Sequence, residues 1–274
     1  MNGSSTNFHS RVSAHYTSFD SAARILSELA KRGLNLGQLS PPDLETYDQL
    51  HTCGAGATRT LVRLLNPPHA GRILDVGCGI GGPARMLAAA TGCSVVGVDL
   101  TPAFVSLASD LTARTNLSDR VSYQVGSATD LPFPDAAFDG AWHVHMSMNV
   151  AHKPQMYREI FRVLRPKARF VMFDPVRGPG PQPDYPVPWA ETSETSFVTT
   201  AADMQRTIEQ AGFVTQQIED ATDEGLSWFA ELDRKRPVGA PVSADRFAVM
   251  SANHRKNLAT GAIALMRGIF MRNP

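Results

Sequence analysis

The sequence is poor in cysteine, in surplus charge and in long apolar runs, and each shortage excludes something. Only Cys53, Cys78 and Cys93 occur among 274 residues. Their number is odd and their spacing fits no metal site, so neither a disulfide framework nor a bound metal is expected. They read as reduced thiols of a cytoplasmic protein. Lys and Arg (26) balance Asp and Glu (26), for a net charge of zero. A nucleic-acid binder would carry a basic stripe, so no such partner is expected. No apolar run approaches the roughly 18 residues of a membrane span. The polar start, Met1-Asn2-Gly3-Ser4-Ser5-Thr6, lacks the apolar core of a secretion signal. The remaining picture is a soluble globular chain of one domain, or of one core with an elaborated cap.

Along the chain, residues 1–18 read as a loose terminus. Residues 18–32 carry Ala22, Ile25, Leu26 and Leu29 at helical spacing. Gly33 ends that helix, and Pro41-Pro42 reads as loop punctuation. A glycine-rich turn and a helix follow over 48–65. From Gly71 short apolar runs alternate with helical stretches. Strands are expected at 72–76, 94–99, 121–125, 138–144 and 169–173, with helices at 83–90, 103–114 and 156–164. This alternation predicts an α/β fold, a doubly wound and mostly parallel sheet covered on both faces. Residues 175–188, rich in proline and glycine, read as a loop. A helix at 201–211, capped by Thr199 or Thr200, leads to a strand at 213–218. Helical stretches near 226–232 and 244–257 precede a final strand at 263–271.

One stretch carries the chemistry: Leu74-Asp75-Val76-Gly77-Cys78-Gly79-Ile80-Gly81-Gly82, at a strand-to-helix junction. Glycines there let the backbone turn and let a ligand approach closely. Gly77, Gly79 and Gly82 also satisfy the dinucleotide pattern G-x-G-x-x-G, so a nicotinamide or flavin site stays open on the glycines alone. Asp75 favours another ligand. A carboxylate two residues before the first glycine repels a pyrophosphate but attracts an ammonium or sulfonium. At about 4 Å and an effective dielectric near 20, that attraction is on the order of 4 kcal/mol before desolvation. Asp99, ending the second strand, is placed to accept from two ribose hydroxyls. The bland alternative is a glycine turn with two solvated or capping aspartates.

The same stretch resembles motif I of class I S-adenosylmethionine-dependent methyltransferases. Gly126-Ser127-Ala128-Thr129-Asp130-Leu131-Pro132-Phe133-Pro134-Asp135 with Phe138-Asp139, and the turn Val163-Leu164-Arg165-Pro166, resemble segments of the ubiquinone-biosynthesis-like methyltransferases. Asp48-Gln49-Leu50-His51-Thr52-Cys53-Gly54, Ser147-Met148-Asn149-Val150 and Tyr185-Pro186-Val187-Pro188-Trp189-Ala190 resemble the sarcosine and dimethylglycine N-methyltransferase group. The resemblance covers about residues 15–270. It implies a seven-stranded Rossmann-like sheet, with an N-terminal helical lid (1–70), a cofactor-binding core (71–219), and a helical cap insertion with the final strand (220–274). It implies S-adenosylmethionine as cofactor, held by Asp75, Gly77, Cys78, Gly79, Gly81, Asp99, Leu100, Ser127, Ala128 and His143, and methyl transfer to an oxygen, nitrogen or carbon of a small molecule. Two departures stand out. Ser127 occupies the place of the family's usual aspartate at the adenine amino group. Lys167-Ala168 replaces a usual Gly-Gly.

On the reactive side, methyl transfer needs the nucleophile held in line, about 3–3.5 Å from the methyl carbon. A base helps where the nucleophile carries a proton. His143 and His145 end the fourth strand and, by strand alternation, should share a face. His145 is the candidate to orient or deprotonate the acceptor. A packing role, or a metal site with His152, is the rival reading, though no carboxylate or thiol lies at ligand spacing. His51 and Tyr47 are lid candidates, and His51 is a second catalytic candidate. Trp189, Phe197, Trp228 and Phe229 weakly favour an apolar acceptor. A fold that binds the cofactor but serves as a non-methylating cyclase or binding partner is the alternative function. The oligomeric state is not legible.

Overall fold

Every apolar run from Gly71 onward becomes a strand of one sheet in the computed structural model, which describes residues 22–235 and 246–273. The expected loose terminus, 1–18, lies outside the described residues. Strands β1 (Arg72–Val76), β2 (Ser94–Asp99), β3 (Val121–Val125), β4 (Phe138–Val144), β5 (Leu164–Arg177), β6 (Phe213–Asp220) and β7 (Ile263–Arg272) lie in the order β3-β2-β1-β4-β5-β7-β6. β1 pairs in parallel with β2 and β4, whereas β7 runs antiparallel between β5 and β6. Strand order reverses between β1 and β4. Open α/β sheets bind ligands beyond the carboxyl ends of the strands at such a switch point.

Helices cover both faces. In chain order they are α1 (Ala22–Lys31), α2 (Pro41–Asp48), α3 (Gly54–Leu65), α4 (Gly82–Thr91), α5 (Pro102–Arg114), α6 (Lys153–Val163), α7 (Ala201–Gln210), α8 (Thr222–Lys235) and α9 (Arg246–Ala259). One apolar core joins Leu61 and Leu65 of α3, Leu87 of α4, Phe229 of α8 and Leu258 of α9 to Trp142, Val171 and Phe173 of the sheet. A second packs Met156, Tyr157 and Ile160 of α6 and Met204 and Ile208 of α7 against Leu74, Val76 and Phe170. The stripe Ile25 and Leu29 of α1 is fully buried against Leu44, Phe104, Leu107 and Leu111, together with Ile80 of the glycine loop. Burying such a side chain is worth about 1.5–3 kcal/mol, enough to seat this N-terminal segment beside the loop.

Three expectations need correction. Pro41-Pro42 does not mark a loop but starts α2. Ser40 donates its N–H and its hydroxyl to the Asp43 carboxylate at 2.9 and 2.6 Å. Proline loses nothing in a helix's first turn, where no N–H has an intrahelical partner. β5 runs on to Arg177, into the expected loop 175–188, because its residues from Arg169↔Met271 to Arg177↔Ile263 pair with β7. β6 likewise extends to Asp220. At Lys167 the backbone takes φ +66, a conformation that glycine adopts without steric cost.

Candidate active site

At the switch point lies a cavity of about 1110 Å³, lined by the ends of β1, β2 and β4 and by segments from both ends of the described chain. Pockets for one small ligand run to about 300–1,000 Å³, so this cavity has room for two ligands side by side.

One half is the glycine loop. Asp75, Gly77, Cys78 and Gly79 line it, with Asp99 and Leu100 from the end of β2 and Ser127 and Ala128 after β3. The N–H of Gly77 donates to Val98 at 2.7 Å, and that of Gly79 to the Asp99 carboxylate at 2.9 Å. Gly79 adopts φ +52, and a Cβ there would meet no atom within 4 Å, so the loop's inner surface is open. Asp75 is 2% exposed, and one of its carboxylate oxygens is buried without a partner. Burial pushes its carboxyl up to about 7, the Trp142 indole pulls it down, and Asp99 pushes it up again. A bound cation would satisfy that oxygen, so the residues fit the ammonium-bearing tail of S-adenosylmethionine.

Two residues expected at the cofactor stand apart from the cavity. A Cβ on Gly81 would lie 2.2 Å from the Tyr123 hydroxyl, so this glycine serves packing under the loop. His143 is fully buried on the α6 face, with ring centroids 5.9 Å from Tyr157 and 5.3 Å from Phe170. Ser127 does line the cavity, but its hydroxyl already accepts the Thr129 N–H at 3.2 Å and lies 2.8 Å from the Thr129 hydroxyl.

The expectation that His143 and His145 share a face is also corrected. β4 ends at Val144, and His145 takes φ +47. That left-handed residue breaks strand alternation and turns the imidazole to the opposite face, 5.0 Å from the Phe173 ring. His145 lines the cavity, and its Nε2 is buried without a hydrogen-bond partner. Desolvation, then His51, His254 and His143, depress its pKa well below the usual 6.5, so the ring is neutral. His51 lies beside it, ring centroids 5.9 Å apart. Both His51 nitrogens are engaged, Nδ1 with the Thr52 carbonyl and Nε2 with the Thr58 hydroxyl, each at 3.1 Å. Burial lowers its pKa to about 4. Tyr47 packs against the α1 cluster and does not line the cavity.

Sequence reasoning missed two features. Asp48 and Arg85 form a buried ion pair at 2.9 Å under the loop. Arg85 also donates to the carbonyls of Ile80 and Ala108 and to the Thr112 hydroxyl. Its signal was a lone arginine between Ala84 and Met86 on a helix buried almost throughout. His254 of α9 lines the cavity with Met148, Trp189, Trp228 and Phe229. No sequence signal marked it, because only the packing of α9 brings it there. Among the described residues no Lys or Arg lines the cavity, and no cluster could hold a metal. None of their helices is long and apolar enough to cross a membrane.

Comparisons with known proteins agree with this geometry. The methyltransferase-domain family matches residues 74–172. The chain is 30% identical over 230 residues to the O-methyltransferase cnsE of Penicillium expansum, covering 79% of this chain and 82% of that one. It is 33% identical over 156 residues to the methyltransferase GfsG of Streptomyces halstedii, where the match spans 57% of this chain and about half, 55%, of that relative. The solved structure of geranyl diphosphate C-methyltransferase from Streptomyces coelicolor A3(2), complexed with S-adenosyl-L-homocysteine, has the same fold. Its TM-score is 0.75 at 17% identity, over 99% of this chain and 100% of that one.

Proposed function

Because the chain belongs to the class I S-adenosylmethionine-dependent methyltransferases, we propose that it methylates a hydroxyl oxygen of a neutral, largely apolar small molecule. The carrying observation is His145, a neutral buried imidazole whose Nε2 has no protein partner in the cavity it shares with the glycine loop. When bound, S-adenosylmethionine supplies an electrophilic methyl group and one positive charge, which the transfer discharges. Asp75 and the open face of Gly79 would hold its amino-acid tail and Asp99 its ribose, with Ser127 and Ala128 beside its adenine. His145 accepts a hydrogen bond from the acceptor hydroxyl, which orients the oxygen's lone pair. It takes the hydroxyl proton as the methyl carbon exchanges its bond to sulfur for one to oxygen. Its depressed pKa favours return to the neutral ring once the transfer is over. The proton then leaves to solvent.

The lining supports a neutral acceptor. Among the described residues no Lys or Arg lines the cavity to offset a buried anion, which would cost several kcal/mol unpaired, and Asp48 is already paired with Arg85. The relative named an O-methyltransferase supports oxygen as the nucleophile. We read the described part of 1–70, residues 22–70, as a lid, and that of 220–274, residues 220–235 and 246–273, as a cap with the final strand, since Leu50, His51 and Thr52 reach the cavity from the first and Trp228, Phe229 and His254 from the second. The free buried thiols fit a reducing, cytoplasmic setting.

The test is a screen of neutral hydroxylated aromatics that follows S-adenosylhomocysteine release. His145→Ala should lower kcat/KM at least about tenfold, within the range for losing a general base, with S-adenosylhomocysteine affinity unchanged. Full activity in that variant would sink the role of His145.

A further inference from the structure

His254 is 3% exposed, and it packs edge-on to Trp189 (centroids 5.1 Å apart, 83°) and to Phe229 (5.8 Å, 72°). Its Nε2 lies 2.9 Å from the Thr52 hydroxyl oxygen. Its Nδ1 is buried with no hydrogen-bond partner. The ring lines the cavity beside Trp189 and Phe229, on a different element from His145. A buried polar atom left unpaired carries its full desolvation cost, and native proteins leave few of them. The proposed proton transfer uses His145 and leaves this nitrogen unexplained.

We infer that His254 is a specificity residue whose Nδ1 pairs with a second hydroxyl of the acceptor, so that the substrate class is a neutral apolar diol or polyol. The inference rests on the reading that a neutral small molecule fills this chamber. The chemistry of the ring selects a hydroxyl. If the Thr52 hydroxyl donates to Nε2, Nδ1 carries the proton and donates to the ligand. If Nε2–H donates to Thr52, Nδ1 accepts. A hydroxyl serves either tautomer, whereas a carbonyl or ether serves only the first. A carboxylate is disfavoured because burial keeps this imidazole neutral, its pKa pushed down to about 4.

The test reads binding, not transfer. Protein saturated with S-adenosylhomocysteine is titrated by calorimetry with isomeric dihydroxynaphthalenes and, as controls, 1- and 2-naphthol. At least one diol should bind about tenfold more tightly than either control, the worth of one added hydrogen bond. His254→Gln keeps a polar group toward Thr52 but none at the Nδ1 position, and should abolish the preference. His254→Asn places its amide near Nδ1 and should retain it. Equal binding of diols and naphthols, binding of none of them, a preference surviving in His254→Gln, or its equal loss in both variants overturns the assignment. His145→Ala separates the two ideas: there the diol preference should persist while methylation falls.

Discussion

Asp174, at the end of β5, accepts the backbone N–H of Met146 at 2.8 Å, across the sheet from the turn that carries the site's imidazole. Its other oxygen accepts the Ser147 N–H at 3.1 Å and lies 3.3 Å from His143 Nδ1. One residue earlier, the His145 N–H donates to the Phe173 carbonyl at 2.7 Å. Three consecutive amides are thus pinned to two residues of β5. The clamp holds His145 in its left-handed conformation, a state that costs a non-glycine residue on the order of 1 kcal/mol or more. His143 has its place here, beneath the clamp and outside the cavity lining.

Asp174→Asn should therefore act through His145. The amide keeps one acceptor but turns an N–H toward a backbone N–H, loosening the turn. We expect kcat to fall about tenfold, as misplacement of a positioned group does, with KM and S-adenosylhomocysteine affinity within about twofold. A merely structural role would lower the melting temperature without this split. In a His145→Ala background the same change should cost little further activity, since coupled residues are non-additive. Full additivity would refute the link.

Cofactor affinity should depend on pH through Asp75. In the empty site burial raises this carboxyl to about 7, so below that pH it is protonated. A bound ammonium favours the ionised form and expels the proton. Affinity for S-adenosylhomocysteine should be flat above about pH 7 and fall up to about tenfold per unit below it. Calorimetry in buffers of different ionisation enthalpy should register one released proton near pH 6. Asp75→Asn should bind more weakly and lose the slope, and a slope unchanged in that variant would assign it to another group.

The buried histidines should weaken the fold in acid. His254 is held at about 4 in the folded state against 6.5 for a free histidine. Between these values the unfolded chain binds the extra proton, so this contribution to stability is intact above pH 6.5 and lost as pH falls toward 4. The raised carboxyl of Asp75 works in the opposite sense, so the histidine must be isolated by difference. The stability gap between wild type and His254→Gln in urea should be about 2 kcal/mol narrower at pH 5 than at pH 7, at about 1.4 kcal/mol per unit. A gap that does not change with pH would mean that His254 titrates normally in the fold.

Much of the fold was legible because its signals are local. β3 and β4 begin and end at the residues where the apolar runs do, and Thr200 caps α7 by accepting the Asp203 N–H at 3.1 Å. Asp75, Gly77, Gly79 and Asp99 announce a ligand because strand, tight turn and carboxylate lie within one βαβ stretch. Other assignments were beyond a linear reading. Strand alternation puts His145 beside His143, and only the amides pinned by β5, 28 residues away for Asp174 and Met146, turn it to the other face. Nothing near His254 in the chain foretells its bond to Thr52, 202 residues distant. The sequence alone determined the sheet, its glycine loop and the carboxylates of Asp75 and Asp99 beside that loop, since each depends on neighbours in the chain. Which imidazoles line the cavity was decided only by tertiary structure, because that depends on a residue's direction and burial, which elements far apart in the sequence impose when they pack.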